Sequence, residues 1–363
     1  MLNQNSPIKV LFGVIIVLLV GFGIVLATRI FDPFWNPFRP SPQRVLESSL
    51  QKMRELRTFS FKTQFNFEAI EANKKFLETA FSFKEDIDKN DPSNLKIEGD
   101  FNLDFIFDQK FSLAGESKII GDNTYFKITN PPDPSLSKEI SETLGVDFIA
   151  IQDQWIKFNQ EQFFKILGGE ETEKEVIDQI IQERRTAKAE AIKKLNDFLK
   201  SYKIKRTLQD QEVNGVKAYH YLISLNESEA RAVLPEIISF MGQFLGPEGV
   251  LDLGILQDLL PRIDEFFQIN EGLLLEVWIG QKDNYLYKIS FGQEVPLARF
   301  AKPLKKNQKP QVIPSRVNLK ININFSNFNK QFQIEEPPQI RFLEDIISKE
   351  FHSDYFEPYF LGD

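Results

Sequence analysis

The chain has 363 residues, with 44 basic and 52 acidic side chains and a formal net charge of -8. That balance leaves no phosphate-neutralising excess, which argues against nucleic acid or an anionic membrane surface as the main partner. Cysteine is absent, so disulfides, thiolate metal sites and a lipidated N-terminal cysteine are excluded.

The eighteen residues from Val10 to Ala27 carry no charge and no strongly polar side chain, about the length of helix that crosses a bilayer. Lys9 and Arg29 flank the run. Residues 1–9 are expected as a cytoplasmic head and residues 10–29 as a transmembrane helix, an uncleaved signal anchor. A signal peptide cut near Val25-Leu26-Ala27 is the alternative, although the apolar run exceeds the usual core of such peptides. Positive residues on the two sides nearly balance. With so short a head, the large domain is placed outside the cytoplasm and the protein in the cell membrane, single-pass.

Residues 30–42 form a linker rich in proline and aromatic residues. Phe31, Phe34, Trp35 and Phe38 suit a headgroup layer, or tuck onto the domain. Pro33, Pro37, Pro40 and Pro42 favour an extended spacer, reaching roughly 40 Å at about 3.1 Å per residue. Ser41 is an N-cap with Pro42 at the first helical position, and Val45, Ser49, Met53 and Leu56 share a face of the helix that follows.

From Thr58 the hydrophobic period changes from 3.6 to 2. Phe59, Phe61, Phe65 and Phe67 alternate with polar residues, as do Leu77, Thr79, Phe81 and Phe83, and then Leu95, Ile97, Phe101, Leu103, Phe105 and Phe107. These are long strands joined by short polar links, an antiparallel meander that continues through Phe111–Ile119 and Thr124–Ile128. Phenylalanine is over-represented, 35 against 8 Tyr and 3 Trp. A composition rich in Phe, Lys, Ile and Asn inflates that count without any function, but composition does not place the rings in phase on one face.

A proline-rich loop at Asn130–Pro134 is followed by a short helical piece at Leu136–Leu144 and a strand near Trp155–Phe158. A long helix is expected from about Glu173 to Tyr202, with Ile177, Ile180, Leu195 and Phe198 on its apolar stripe. A hairpin turns at Asn214-Gly215, a strong short-range signal. Residues 227–267 read as apolar helices broken by Pro235, Gly246, Pro247 and Pro261, so the span 160–267 is a largely helical insertion. A second hairpin crosses Gly280–Asn284. The strand of Val317, Leu319, Ile321, Ile323 and Phe325 follows a lysine-rich loop and ends the domain of residues 43–338. Residues 339–363 close the chain with a helix near Ile340–Lys349 and a tail.

The elements predict an α+β fold: a large curved antiparallel sheet, a half-open barrel, with helices covering its concave face, plus one N-terminal transmembrane helix. A sheet dry on one face needs such a cover, which either packs solidly or leaves an apolar cavity. The cavity would be lined by Phe59, Phe61, Phe65, Phe81, Phe83, Phe101 and Phe105 on the sheet and by Ile237, Phe240, Phe244, Leu256 and Leu260 on the helices.

No chemistry-bearing motif emerges. His220 and His352 are the only histidines, and His220 alternates with Tyr219 and Tyr221 as a structural strand residue. Asp86 to Asp91 starts like a calcium loop, but Asp91 replaces the required glycine and the twelfth position is Ile97. No catalytic residue, metal site or cofactor is expected.

The opening helix running into Thr58-Phe59-Ser60-Phe61, the turn Val213-Asn214-Gly215-Val216 before Tyr219-His220-Tyr221, Trp278-Ile279-Gly280 to Asp283, and Phe325-Ser326-Asn327-Phe328-Asn329 resemble the extracytoplasmic lipid-carrier lipoproteins of the LppX and LprG type. The LolA and LolB carriers are more distantly similar. The resemblance implies a curved sheet whose concave face holds acyl chains under helices. Here the lipidated cysteine is missing and a transmembrane helix stands in its place. Two functional readings follow. One is a membrane-anchored extracytoplasmic protein that binds a lipid or other apolar ligand without catalysis. The other is a cell-envelope scaffold or protein-interaction module with a filled core and an envelope protein as partner.

Overall fold

The computed structural model describes residues 36, 38–71, 74–91, 94–106, 110–121, 123–135, 137, 147–159, 202–224, 274–295 and 316–346. The run Val10–Ala27 lies outside these residues, as do the helix expected at 227–267, most of that at Leu136–Leu144, and all but the last residue of that expected from about Glu173 to Tyr202; Tyr202 itself is not helical and leads into a strand. Among the described residues no helix is long and apolar enough to cross a membrane.

Helix α1 (Pro42–Glu55) begins where the sequence predicts. The Ser41 side chain accepts from the Arg44 N–H, Pro42 occupies the first turn, and Lys52 and Arg54 lie in the last turn, where cations suit the helix dipole. Among the described residues twelve strands follow: β1 (Thr58–Glu71), β2 (Lys74–Asp88), β3 (Lys96–Ile106), β4 (Lys110–Ile120), β5 (Asn123–Asn130), β6 (Ile156–Asn159), β7 (Lys203–Val213), β8 (Val216–Ser224), β9 (Leu274–Gly280), β10 (Leu286–Val295), β11 (Arg316–Ser326) and β12 (Arg341–Phe342). They make one large, curved, unclosed sheet in the order β12-β6-β5-β4-β3-β2-β1-β11-β10-β9-β8-β7.

The topology has two arms that meet at β1. Strands β1 to β6 step outward as a meander. The chain then re-enters at β7, on the opposite edge, and β7 to β11 step back until β11 pairs with β1, Phe61 facing Phe325. All pairs are antiparallel except β12 with β6. Among the described residues strand β7 has no partner on its outer edge, which is blunted by charged residues and by two irregularities in register, at Ile204/Arg206 and Leu208/Gln211.

The β7–β8 hairpin turns on Asn214 and Gly215, with φ of 52° and 79°. This is the left-handed pair that a two-residue turn demands, and it matches the right-handed twist of the strands. Gly215→Ala should therefore cost about 1 kcal/mol of stability in urea denaturation, although a side chain there would meet open space. An unchanged midpoint would show that the turn tolerates a Cβ.

Two differences from the sequence reading stand out. Residues 341–346 form strand β12 and a 3-10 turn (Leu343–Asp345) in place of the start of the helix expected near Ile340–Lys349. The Arg341 N–H donates to the Trp155 carbonyl and the strand pairs alongside β6, while Leu343 buries against Ile156. An edge strand thus captures a segment whose local pattern favours helix. The end of the expected spacer is also docked rather than free. Asn36 is buried, and Arg39 makes a bidentate ion pair with Asp210 of β7, Nη1 to Oδ2 at 2.8 Å and Nη2 to Oδ1 at 2.5 Å.

Candidate functional site

Residues directly opposite each other in a ladder lie on the same face of a sheet. The pairs Phe65 with Phe81, Phe83 with Phe101, Thr79 with Phe105 and Phe61 with Phe325 therefore put all seven predicted sheet phenylalanines on one face. Phe61 and Phe83 meet edge to face with centroids 5.3 Å apart, Phe81 and Phe83 at 5.3 Å, and Phe59 and Phe61 at 6.2 Å. The opposite face is polar. Lys62, Gln64 and Asn66 alternate out from β1, and Asn318, Lys320, Asn322 and Asn324 from β11.

The apolar face is plugged at both ends. Toward β8 to β10, Val45 and Leu46 of α1 are buried with Tyr219, Tyr221, Val277, Ile279 and Leu286. Toward β5 and β6, Ile128, Ile151, Ile156 and Leu343 form a second buried cluster. Between them the seven predicted residues Phe59, Phe61, Phe65, Phe81, Phe83, Phe101 and Phe105 are all only half-buried. The other five, Ile237, Phe240, Phe244, Leu256 and Leu260, lie outside the described residues.

The register adds residues that the sequence reading passed over. Phe325 joins the ring network 6.4 Å from Phe59 and 6.5 Å from Phe61, and Ile321 and Leu319 stand opposite Phe65 and Phe67. Their alternation is visible in the sequence, but not their place beside β1. Glu85 is a further residue of this face. It continues the series Leu77, Thr79, Phe81, Phe83 in phase, opposite Phe61, so its carboxyl belongs to the apolar face. Burial raises its pKa above the ordinary carboxylate value. Lys89, just past the end of β2, holds its ammonium 5.4 Å from the centroid of the Phe59 ring, and burial lowers its pKa.

No family model matches the chain, and no curated protein matches it. Solved structures do. They include the LppX and LolA kinds that the sequence resembles. The lipoprotein LppX of Mycobacterium tuberculosis matches at 11% identity over 81% of this chain and 100% of its own, with a TM-score of 0.33. LprF from Mycobacterium bovis matches at 12% identity over 82% of this chain and 98% of its own, with a TM-score of 0.35. A LolA superfamily protein from Nitrosomonas europaea matches at 11% identity over 87% of this chain and 100% of its own, with a TM-score of 0.17. Overlays this loose carry no function across, and the site has to speak through its own chemistry.

That chemistry is apolar on one face and structural on the other. His220 is buried on the polar side, with Nε2 2.8 Å from Glu276 Oε2 and its ring stacked 4.3 Å from Trp278. Lys288 covers the Trp278 ring at 4.4 Å, and the indole N–H donates to Gln211 at 3.0 Å. This stack bolts β7 to β10 together. A cleft of about 380 Å³ opens where α1 runs into β1, lined by Glu55, Arg57, Asn90 and Lys330 among others. Its lining is polar and does not suit an apolar chain.

Proposed function

We propose that the chain is a membrane-anchored, extracytoplasmic, non-catalytic protein that holds a lipid or another apolar ligand against the apolar face of its sheet. One observation carries the reading: phenylalanines from β1, β2 and β3 stand in phase on that face, half-buried, between two ends that are fully buried. Burying apolar surface stabilises by about 25 cal/mol per Å², so rings left part-way exposed in the middle of a face are a place where a further apolar body gains. Phe59, Phe61, Phe65, Phe81, Phe83, Phe101 and Phe105 are the proposed lining. The run Val10–Ala27 keeps this surface near one membrane, which favours taking up or presenting a ligand there over long-range shuttling.

The test is to purify the full chain in detergent, exchange it into amphipol, extract it with organic solvent and analyse the extract by mass spectrometry beside Phe81→Asp. A carboxylate in the middle of the ring network should lower co-purified lipid at least about tenfold. Equal lipid in both proteins, or none in either, would sink the reading and leave the envelope scaffold with a filled core.

A further inference from the structure

From the row of Phe59 to the row of Phe67, across β1 to β5 and β11, Glu85 is the only charged side chain on the apolar face among the described residues. Its row reads Phe325, Phe61, Glu85, Gly99, Ser117. The rows on either side of it on β2 are Ile87 and Phe83. The glycine opposite is required. A Cβ at position 99 would come within 2.7 Å of Glu85 Cγ and would collide with the Lys84 carbonyl oxygen, so Gly99 leaves the space over which the glutamate lies.

The Glu85 carboxyl makes no hydrogen bond or ion pair among the described residues. Lys89 forms no ion pair with it, its ammonium being held over the Phe59 ring. Burial raises the pKa of the carboxyl, and among the described residues no cation offsets it. A carboxylate kept in such surroundings without a partner opposes folding, and a ligand that brings the missing charge removes that penalty.

We infer that Glu85 is the anchor for a cationic head: the ligand is a long-chain amphiphile carrying an ammonium group, which meets the Glu85 carboxylate while its chain lies on the phenylalanines. This rests on the apolar-ligand reading and names the ligand class. The lengths agree. From the row of Glu85 to the row of Phe105 the face runs six residues along the strands, about 20 Å at ~3.3 Å per residue, room for a long alkyl chain. The head lies one row from the end of the sheet. A fatty acid presents the wrong charge, since two carboxylates at one place repel.

The experiment uses the full chain in amphipol and a neutral hexadecyl alcohol probe bearing a diazirine on its chain, which reports on the phenylalanine face without needing Glu85, with photolabelled peptides mapped by mass spectrometry. Hexadecylamine, hexadecanol and hexadecanoate compete against it at neutral pH. Labelling is expected on β1 to β3, with hexadecylamine competing at a concentration about tenfold below hexadecanoate, the factor expected of one charge-assisted contact. Glu85→Gln should keep the labelling and erase the amine's advantage, and retained labelling shows that the variant is folded. Three equal competitors, or an advantage that survives in Glu85→Gln, would overturn the inference while leaving an apolar ligand in place. Absence of labelling on β1 to β3 would overturn the apolar-ligand reading and this inference together.

Discussion

Replacing Arg39 by alanine should lower the unfolding free energy by about 3 kcal/mol, the scale for breaking a buried ion pair from one side. The guanidinium side chain is 8% exposed and Asp210 is 22% exposed. Without Arg39, the Asp210 carboxylate keeps the Gln281 amide at 2.8 Å as a hydrogen-bond partner but loses its counter-charge. The Tyr219 ring also loses a guanidinium 4.6 Å from its centroid. The pair spans 171 residues and joins the chain just before α1 to the edge strand β7. A loss there should therefore loosen the β7–β8 end and the packing of α1 together. Urea denaturation of the full chain in amphipol, followed by the near-ultraviolet signal of its tyrosines, measures the effect. Asp210→Asn is the control, because it removes the charge and keeps an amide in place, and it should cost less than Arg39→Ala. A loss below about 1 kcal/mol for Arg39→Ala would show that the pair is screened as on an open surface.

Much of this fold is legible in the sequence, because its strands are long and strongly phased. The in-phase series from Phe59 to Phe105 predicts the meander, Asn214-Gly215 predicts the β7–β8 hairpin, and Ser41-Pro42 predicts the start of α1. Each is a local signal, read from neighbours within a few residues. What local signals cannot contain is the return of the second arm. Phe61 and Phe325 are partners at a sequence separation of 264, and nothing in either strand names the other. The same limit hides the Arg39–Asp210 pair and the capture of Arg341 by the edge of β6. Glu85 is a different case. Its phase is plain in Leu77-x-Thr79-x-Phe81-x-Phe83-x-Glu85, yet the pattern reads a charged residue as the end of the dry stretch. Only the pairing with Phe61 and Gly99 places it on the apolar face, because β2 continues to Asp88.

Glu85 should also govern how stability changes with pH. Glu85→Leu is expected to be more stable than the parent chain by up to about 1 kcal/mol at neutral and alkaline pH, a fraction of the cost of fully burying a polar group without a partner, since Glu85 is half-buried. The sign follows from the direction of the shift. Burial raises the folded-state pKa of Glu85 above its unfolded value near 4.5. Below the unfolded value both states hold the proton, and the carboxyl contributes no slope. Between the two values the folded state binds more protons than the unfolded one, so stability falls as pH rises. Above the folded value both states are ionised, and the full penalty remains. The advantage of Glu85→Leu over the parent should therefore be small in acid, grow through the window above the unfolded value, and then level off. Subtracting one protein from the other removes the opposite trend of groups such as Glu68, whose pKa is lowered by its bonds to Lys75 and Asn318. Thermal unfolding of both chains from pH 4 to pH 8 reads the difference directly. A constant difference across that range would mean that the Glu85 carboxyl is solvated in the folded protein, and a difference that shrinks with rising pH would mean that a cation of the chain holds it ionised. A saturating long-chain amine should close the gap at neutral pH by stabilising the parent chain alone, because only the parent supplies the carboxylate that the ammonium meets.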